Sequence, residues 1–179
     1  GPYDKKYLEK AISIFAARDP KYKKLKQVAI IPAGSAGNAK AMYDDVLSKQ
    51  VSALELIVFL FDYDKGGLDG WKSIAELKSD KVIPIFYQDD YTKGYITERK
   101  DIGANDSYMV EDLFSPESYK EKVEYIHKKN THKEFRCNNQ GKPTEAIKKH
   151  IENHYSQFKD EWFDGFKPVL DQLISIFQL

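Results

Sequence analysis

Cysteine is almost absent from this chain of 179 residues: Cys137 stands alone, so neither an internal disulfide nor a cysteine zinc cluster can form. That usage predicts a reducing, cytoplasmic setting. Net charge is lacking too, with 28 basic side chains against 28 acidic ones, so no global field attracts nucleic acid. A nucleic-acid ligand would need local basic patches or metal-bridged phosphates. No apolar run approaches the ~20 residues of a bilayer-spanning helix, so no membrane partner is expected. Gly1–Lys6 leads into no signal-peptide core. A GxxxxGKS/T loop is missing, which argues against a P-loop ATPase. Low-complexity tracts and internal repeats are lacking as well.

Against those absences stands one dense feature, Leu56-Ile57-Val58-Phe59-Leu60-Phe61-Asp62-Tyr63-Asp64-Lys65-Gly66-Gly67. The apolar run, rich in Ile, Val and Phe, predicts a strand buried on both faces, as in a parallel sheet. Open parallel sheets place their chemistry beyond the carboxyl ends of their strands, where Asp62 and Asp64 fall. Alternation along an extended segment turns both carboxylates to one side, with Cα atoms roughly 6–7 Å apart. Two such anions repel unless a divalent cation joins them, and Mg2+ or Mn2+ suits a pair of hard oxygen donors. Gly66 and Gly67 permit a sharp turn and the close approach of a phosphate. The competing reading is that Asp64 only caps the next helix.

The remaining pattern fits one α/β domain with a helical appendage. Apolar periodicity predicts a helix over 4–17, closed by Asp19-Pro20, and a basic connector over 21–26. A strand is expected over 27–31, a helix over 38–49, a strand over 54–61, a helix over 67–78 and a strand over 81–87. Such alternation implies parallel βαβ units. Beyond these lie a polar stretch over 88–108 with a short strand at 95–97, a helix over 117–128, and a basic loop over 128–140. Two closing helices follow, 143–154 and 158–179, the second kinked or restarted at Pro168.

This order resembles the TOPRIM domain, the metal-dependent fold of topoisomerases, DnaG-type primases and OLD-family nucleases. Asp62-Tyr63-Asp64-Lys65-Gly66-Gly67 matches its DxDxxG element. Ile31-Pro32-Ala33-Gly34-Ser35-Ala36-Gly37 is similar to its small-residue turn, and Tyr108-Met109-Val110-Glu111-Asp112-Leu113-Phe114 to the acidic element of the OLD branch. Lys142, in Asn138-Asn139-Gln140-Gly141-Lys142-Pro143-Thr144, matches that branch's downstream lysine in order and approximate distance. The resemblance implies a Rossmann-like TOPRIM core over 1–115, with a central, mostly parallel sheet flanked by helices, and a helical extension over 116–179. It further implies a cytoplasmic, Mg2+- or Mn2+-dependent DNA endonuclease or nickase, the nuclease module of a larger protein with an upstream ABC-type ATPase domain.

The resemblance assigns Asp62, Asp64, Glu111 and Lys142 to catalysis. The metals fall to Asp62, Asp64, Glu111 and Asp112, and phosphate contacts to Gly34, Ser35, Gly66 and Gly67. One element departs: the family's first strand ends in Glu-Gly, whereas this chain opens on Gly1-Pro2-Tyr3-Asp4. The expectation is a fragment of a longer protein, with tag removal as the other source of Gly1-Pro2, and in either case weak or no nuclease activity alone, because that glutamate and first strand are missing from this chain. The non-enzyme alternative is a metal-binding or partner-docking module whose open parallel edge invites pairing, with a homodimer as one outcome. A haloacid-dehalogenase-type phosphatase fits poorly, because glycines follow the DxD where that family wants Thr or Val. His150 and His154 have zinc-ligand spacing but no third ligand nearby, so a surface or partly buried pair is expected. The lysines over 21–26 and the basic residues over 128–136 read first as solvated faces.

Overall fold

The computed structural model describes residues 1–49, 56–87, 108–119 and 145–179, and within these the chain is a mixed helix and parallel-sheet protein. Helix α1 spans Pro2–Arg18, with Pro in its first turn, Asp4 near its positive end and Arg18 near its negative end. Its inward stripe includes Tyr7, Leu8, Ala11, Ile12 and Phe15. Asp19 then turns extended and its side chain accepts from the Lys21 amide at 2.9 Å, starting a 3-10 helix over Pro20–Gln27. The basic connector is thus ordered, pinned by buried Tyr22 and Leu25.

The strand expected over 27–31 does not form. Val28 takes an extended backbone, but residues 28–31 pair with no strand among the described residues. A strand exists through its neighbour, and here Val28 and Ile30 pack side chains on the core while Ile31 stays 59% exposed. Helix α2 covers Asn38–Asp45, shorter than the expected 38–49, and a 3-10 turn at Leu47–Lys49 completes that stretch.

Strand β1 (Ile57–Phe61) runs parallel to β2 (Val82–Phe86), with Ile57 opposite Val82 and Phe61 opposite Phe86. Helix α3 (Lys65–Ala75) connects them and packs on both, as a βαβ unit demands. The Ile57 amide donates to Lys81 O, and the Tyr87 amide to Phe61 O. Alternation therefore turns the backbone of Pro84 to the far edge of β2, where its missing N–H breaks no ladder bond and its carbonyl accepts from Trp71 Nε1 at 2.9 Å. Phe59, Phe61, Tyr63, Leu68, Ile74, Val82 and Phe86 close one apolar cluster.

A larger cluster joins α1 to the carboxy-terminal elements: α4 (Glu145–His154), a 3-10 helix over Asp160–Phe166, and α5 (Lys167–Phe177). Phe114 sits at its centre, edge-on to Tyr7, Phe158, Phe163 and Phe166 at 5.0–5.7 Å. Each such ring buried contributes about 1.5–3 kcal/mol. The closing helix expected over 158–179 does restart at Pro168, which stands in the first turn of α5, while the part before it is 3-10 rather than α-helical. Within the stretch expected as a helix over 117–128, the described part is a 3-10 turn, Pro116–Ser118. The expected strand at 95–97 and the basic loop over 128–140 lie outside the described residues.

Candidate metal centre

The chain leaves β1 at Asp62, passes Tyr63, and enters α3 through Asp64. Tyr63 forms an antiparallel bridge with Tyr108: its amide donates to Tyr108 O at 2.6 Å and accepts the return bond at 2.8 Å through its own carbonyl. That bridge lays the segment Tyr108–Phe114 against the tip of β1. Residues 110–113 there wind into a 3-10 turn, and the Val110 amide donates to Asp62 Oδ1 at 2.9 Å. Asp62 and Glu111, far apart in sequence, are thereby brought to one place.

Asp62 keeps partial exposure, while Glu111 is buried and its Oε2 has no hydrogen-bond partner. Burial first, and the Glu111 charge second, push the Asp62 carboxyl up to about 8; Asp4 and Asp64 add to the rise and the Val110 amide opposes it. Burial likewise lifts Glu111 to about 7, against the opposing charge of Lys148 on α4 and with a further push from Asp4 and Asp112. The Tyr87 phenol, buried at the end of β2, is raised by burial and then by the charges of Asp4, Asp62 and Glu111, and it bonds with Asp4. Three carboxylates from three separate elements thus share one electrostatic neighbourhood.

Asp64 performs a structural duty: its Oδ1 accepts from the Gly67 amide at 2.7 Å and caps α3. Gly67 is required there, because a Cβ at that position would fall 1.8 Å from Asp62 O. Its N–H is therefore spent inside the turn, whereas Gly66 is exposed. Asp112 Oδ2 accepts from the Met109 amide at 2.8 Å, capping its own 3-10 turn. Gly34 and Ser35 lie in an exposed turn before α2, with Gly34 at φ +85°. Lys142, together with Asp89, Asp90 and Cys137, lies outside the described residues.

Asp4, Tyr7, Tyr87 and Lys148 are the participants that sequence reasoning missed. Only Asp4 and Tyr7 left a signal, being three apart and so on one face of a predicted helix. The two histidines are tied to backbone: His150 Nε2 lies 3.0 Å from Ser118 O and His154 Nδ1 lies 2.8 Å from His150 O, with the rings stacked at 4.4 Å. Among the described residues, no three acidic, imidazole or thiol side chains converge on a single ion position. The donor chemistry nonetheless fits a hard divalent cation. All donors are oxygens, two of the carboxyls resist ionisation without a counter-charge, and Glu111 Oε2 is orphaned.

Comparison of the chain with protein-family models, with curated proteins and with solved structures finds no match in any of the three.

Proposed function

We propose that this chain is a TOPRIM-type module of the OLD kind that binds Mg2+ or Mn2+ and hydrolyses phosphodiester bonds in DNA. The observation that carries the reading is the meeting of Asp62 and Glu111 at the carboxyl end of a parallel strand, both with raised pKa and one with an unpartnered oxygen. The resemblance of the DxDxxG and Glu111-Asp112 elements to OLD-type nucleases supplies the reaction class. Asp62 and Glu111 would hold the ion, with Asp4 and Asp64 contributing charge from α1 and from the head of α3. A bound divalent ion supplies a water of lowered pKa and clamps phosphate oxygens. The chain's own residues then position it: the Val110 amide orients Asp62, and the bridge between Tyr63 and Tyr108 fixes the spacing between the two acidic segments. Lys148, within electrostatic range of Glu111, and Lys142, by resemblance, are the cations assigned to offset charge on the phosphate.

A second reading, a metal-binding docking module without catalysis, draws support from β1. The backbone groups of Val58 and Leu60 face away from β2, and among the described residues no strand pairs with that edge. Calorimetric titration with Mn2+ and nicking of supercoiled plasmid separate the readings. Binding with slow nicking, both lost in Asp62→Asn, is the expected result. Binding without nicking selects the docking module, and a chain that takes up no Mn2+ overturns both.

A further inference from the structure

Tyr7 is a tyrosine at a position where phenylalanine would pack equally well. Its ring is fully buried, edge-on to Phe114 at 5.0 Å and to Tyr155 at 5.1 Å, so its orientation is set by packing alone. Its hydroxyl has no hydrogen-bond partner. Leaving a buried hydroxyl unpaired is destabilising, a cost that a phenylalanine at the same place would avoid. The second orphan lies nearby: Glu111 Oε2, on the 3-10 turn that ends at Phe114, is buried and unpaired as well. Glu111 makes the largest charge contribution to the upward shift of the Tyr7 phenol, after burial itself, which places the carboxylate within the field of the hydroxyl.

A buried donor and a buried acceptor, both without partners and linked through the Phe114 ring against which Tyr7 packs, can be joined by a third species between them. Mg2+ and ions like it keep several waters when bound, and groups touching those waters or the ligands fix the site's geometry. We propose that the Tyr7 hydroxyl is a positioning group for the cation centre, hydrogen-bonded to Glu111 through a water of the ion's shell. This rests on the divalent-cation reading above. Tyr7 sits three residues after Asp4, so α1 carries a carboxylate and a phenol on one face.

The test is Mn2+ titration of the intact chain and of Tyr7→Phe, with chemical denaturation of both in chelator. The expected result is an Mn2+ affinity about tenfold weaker in Tyr7→Phe, with metal-free stability unchanged or higher. A stabilising phenol with no part in ion binding gives the opposite pattern, a less stable apo-protein with unchanged affinity, and that overturns the proposal. In a Glu111→Gln background, the Tyr7→Phe effect on affinity should largely vanish, since the hydroxyl acts through that carboxylate; an undiminished effect there also overturns it. Failure of this inference is distinguishable from failure of the cation reading. In the first case the wild-type chain binds Mn2+ and loses it with Asp62→Asn; in the second it binds none.

Discussion

The Val110 amide donates to Asp62 Oδ1 across 48 positions of sequence. Together with the bridge between Tyr63 and Tyr108, this bond joins the tip of β1 to the turn carrying Glu111. It also explains a tension in the molecule, because it favours the charged form of a carboxyl that burial and Glu111 disfavour more strongly. Folding holds like charges together here at an electrostatic cost that a cation would relieve.

Asp62→Asn keeps an acceptor for Val110 and replaces a carboxyl that burial makes costly to ionise with a neutral amide. Metal-free Asp62→Asn protein should therefore melt at or above the wild-type temperature near neutral pH, while Mn2+ affinity falls by about 100-fold or more. Thermal denaturation with and without Mn2+ reads both effects.

The pH dependence follows in sign. Asp62 and Glu111 have folded-state values of about 8 and about 7, above their ordinary values of 3.8 and 4.5. Between those limits the folded chain binds more protons than the unfolded one, so stability falls as pH rises through that window. Metal-free protein is expected to resist urea better at about pH 5.5 than at about pH 8.5. Saturating Mn2+ should offset the loss at the higher pH, because ion binding there no longer competes with protons.

Asp64→Ser separates capping from ligation. Serine retains an oxygen for the Gly67 amide, so stability should stay within about 0.5 kcal/mol of wild type, whereas Asp64→Ala should lose about 1 kcal/mol. Mn2+ affinity should fall in both, as both remove the charge. Equal affinity in Asp64→Ser and wild type would assign Asp64 to the cap alone.

Gly67→Ala should lower stability by about 3 kcal/mol, at the upper end of overpacking costs, because the added methyl collides with Asp62 O. Urea denaturation measures it. Displacing that carbonyl should also disturb Asp62 and weaken Mn2+ binding, linking the turn to the site.

Asp171 anchors the opposite side of the fold, accepting from Tyr22 at 2.7 Å, from Lys21 at 3.0 Å and from Lys167. Burial alone would raise its carboxyl; the bonds from Lys167, Tyr22 and Lys21 outweigh that and hold it at about 2. Its contribution is present above the ordinary value of 3.8 and is lost as pH falls toward 2. Asp171→Ala is expected to cost about 1 kcal/mol near neutral pH, a modest figure because the lysines are exposed. That cost should shrink in acid.

The tip of β1 was legible in the sequence because its cause is local. An apolar run followed by Asp, Asp and two glycines specifies a strand, a cap and a tight turn within a few residues, although the burial expected on both faces is reached only at Phe59 and Phe61. The capping role of Asp64 was legible as the competing reading. The strand expected over 27–31 shows the limit, since extended preference without a partner makes no ladder. The 3-10 stretch over Asp160–Phe166 has a similar origin. Gly165 packs so closely on Leu113 that a Cβ would sit 2.2 Å from its carbonyl oxygen, a tertiary contact that no periodicity announces. Asp4 and Lys148 escaped notice for the same reason, because only the folded chain puts them beside Glu111.

Helix α1 meets the acidic pocket with its first turns and lies along the carboxy-terminal helices for the rest of its length. Trimming the polypeptide after α4 would remove Tyr155, edge-on to Tyr7, and the three phenylalanine rings packed around Phe114.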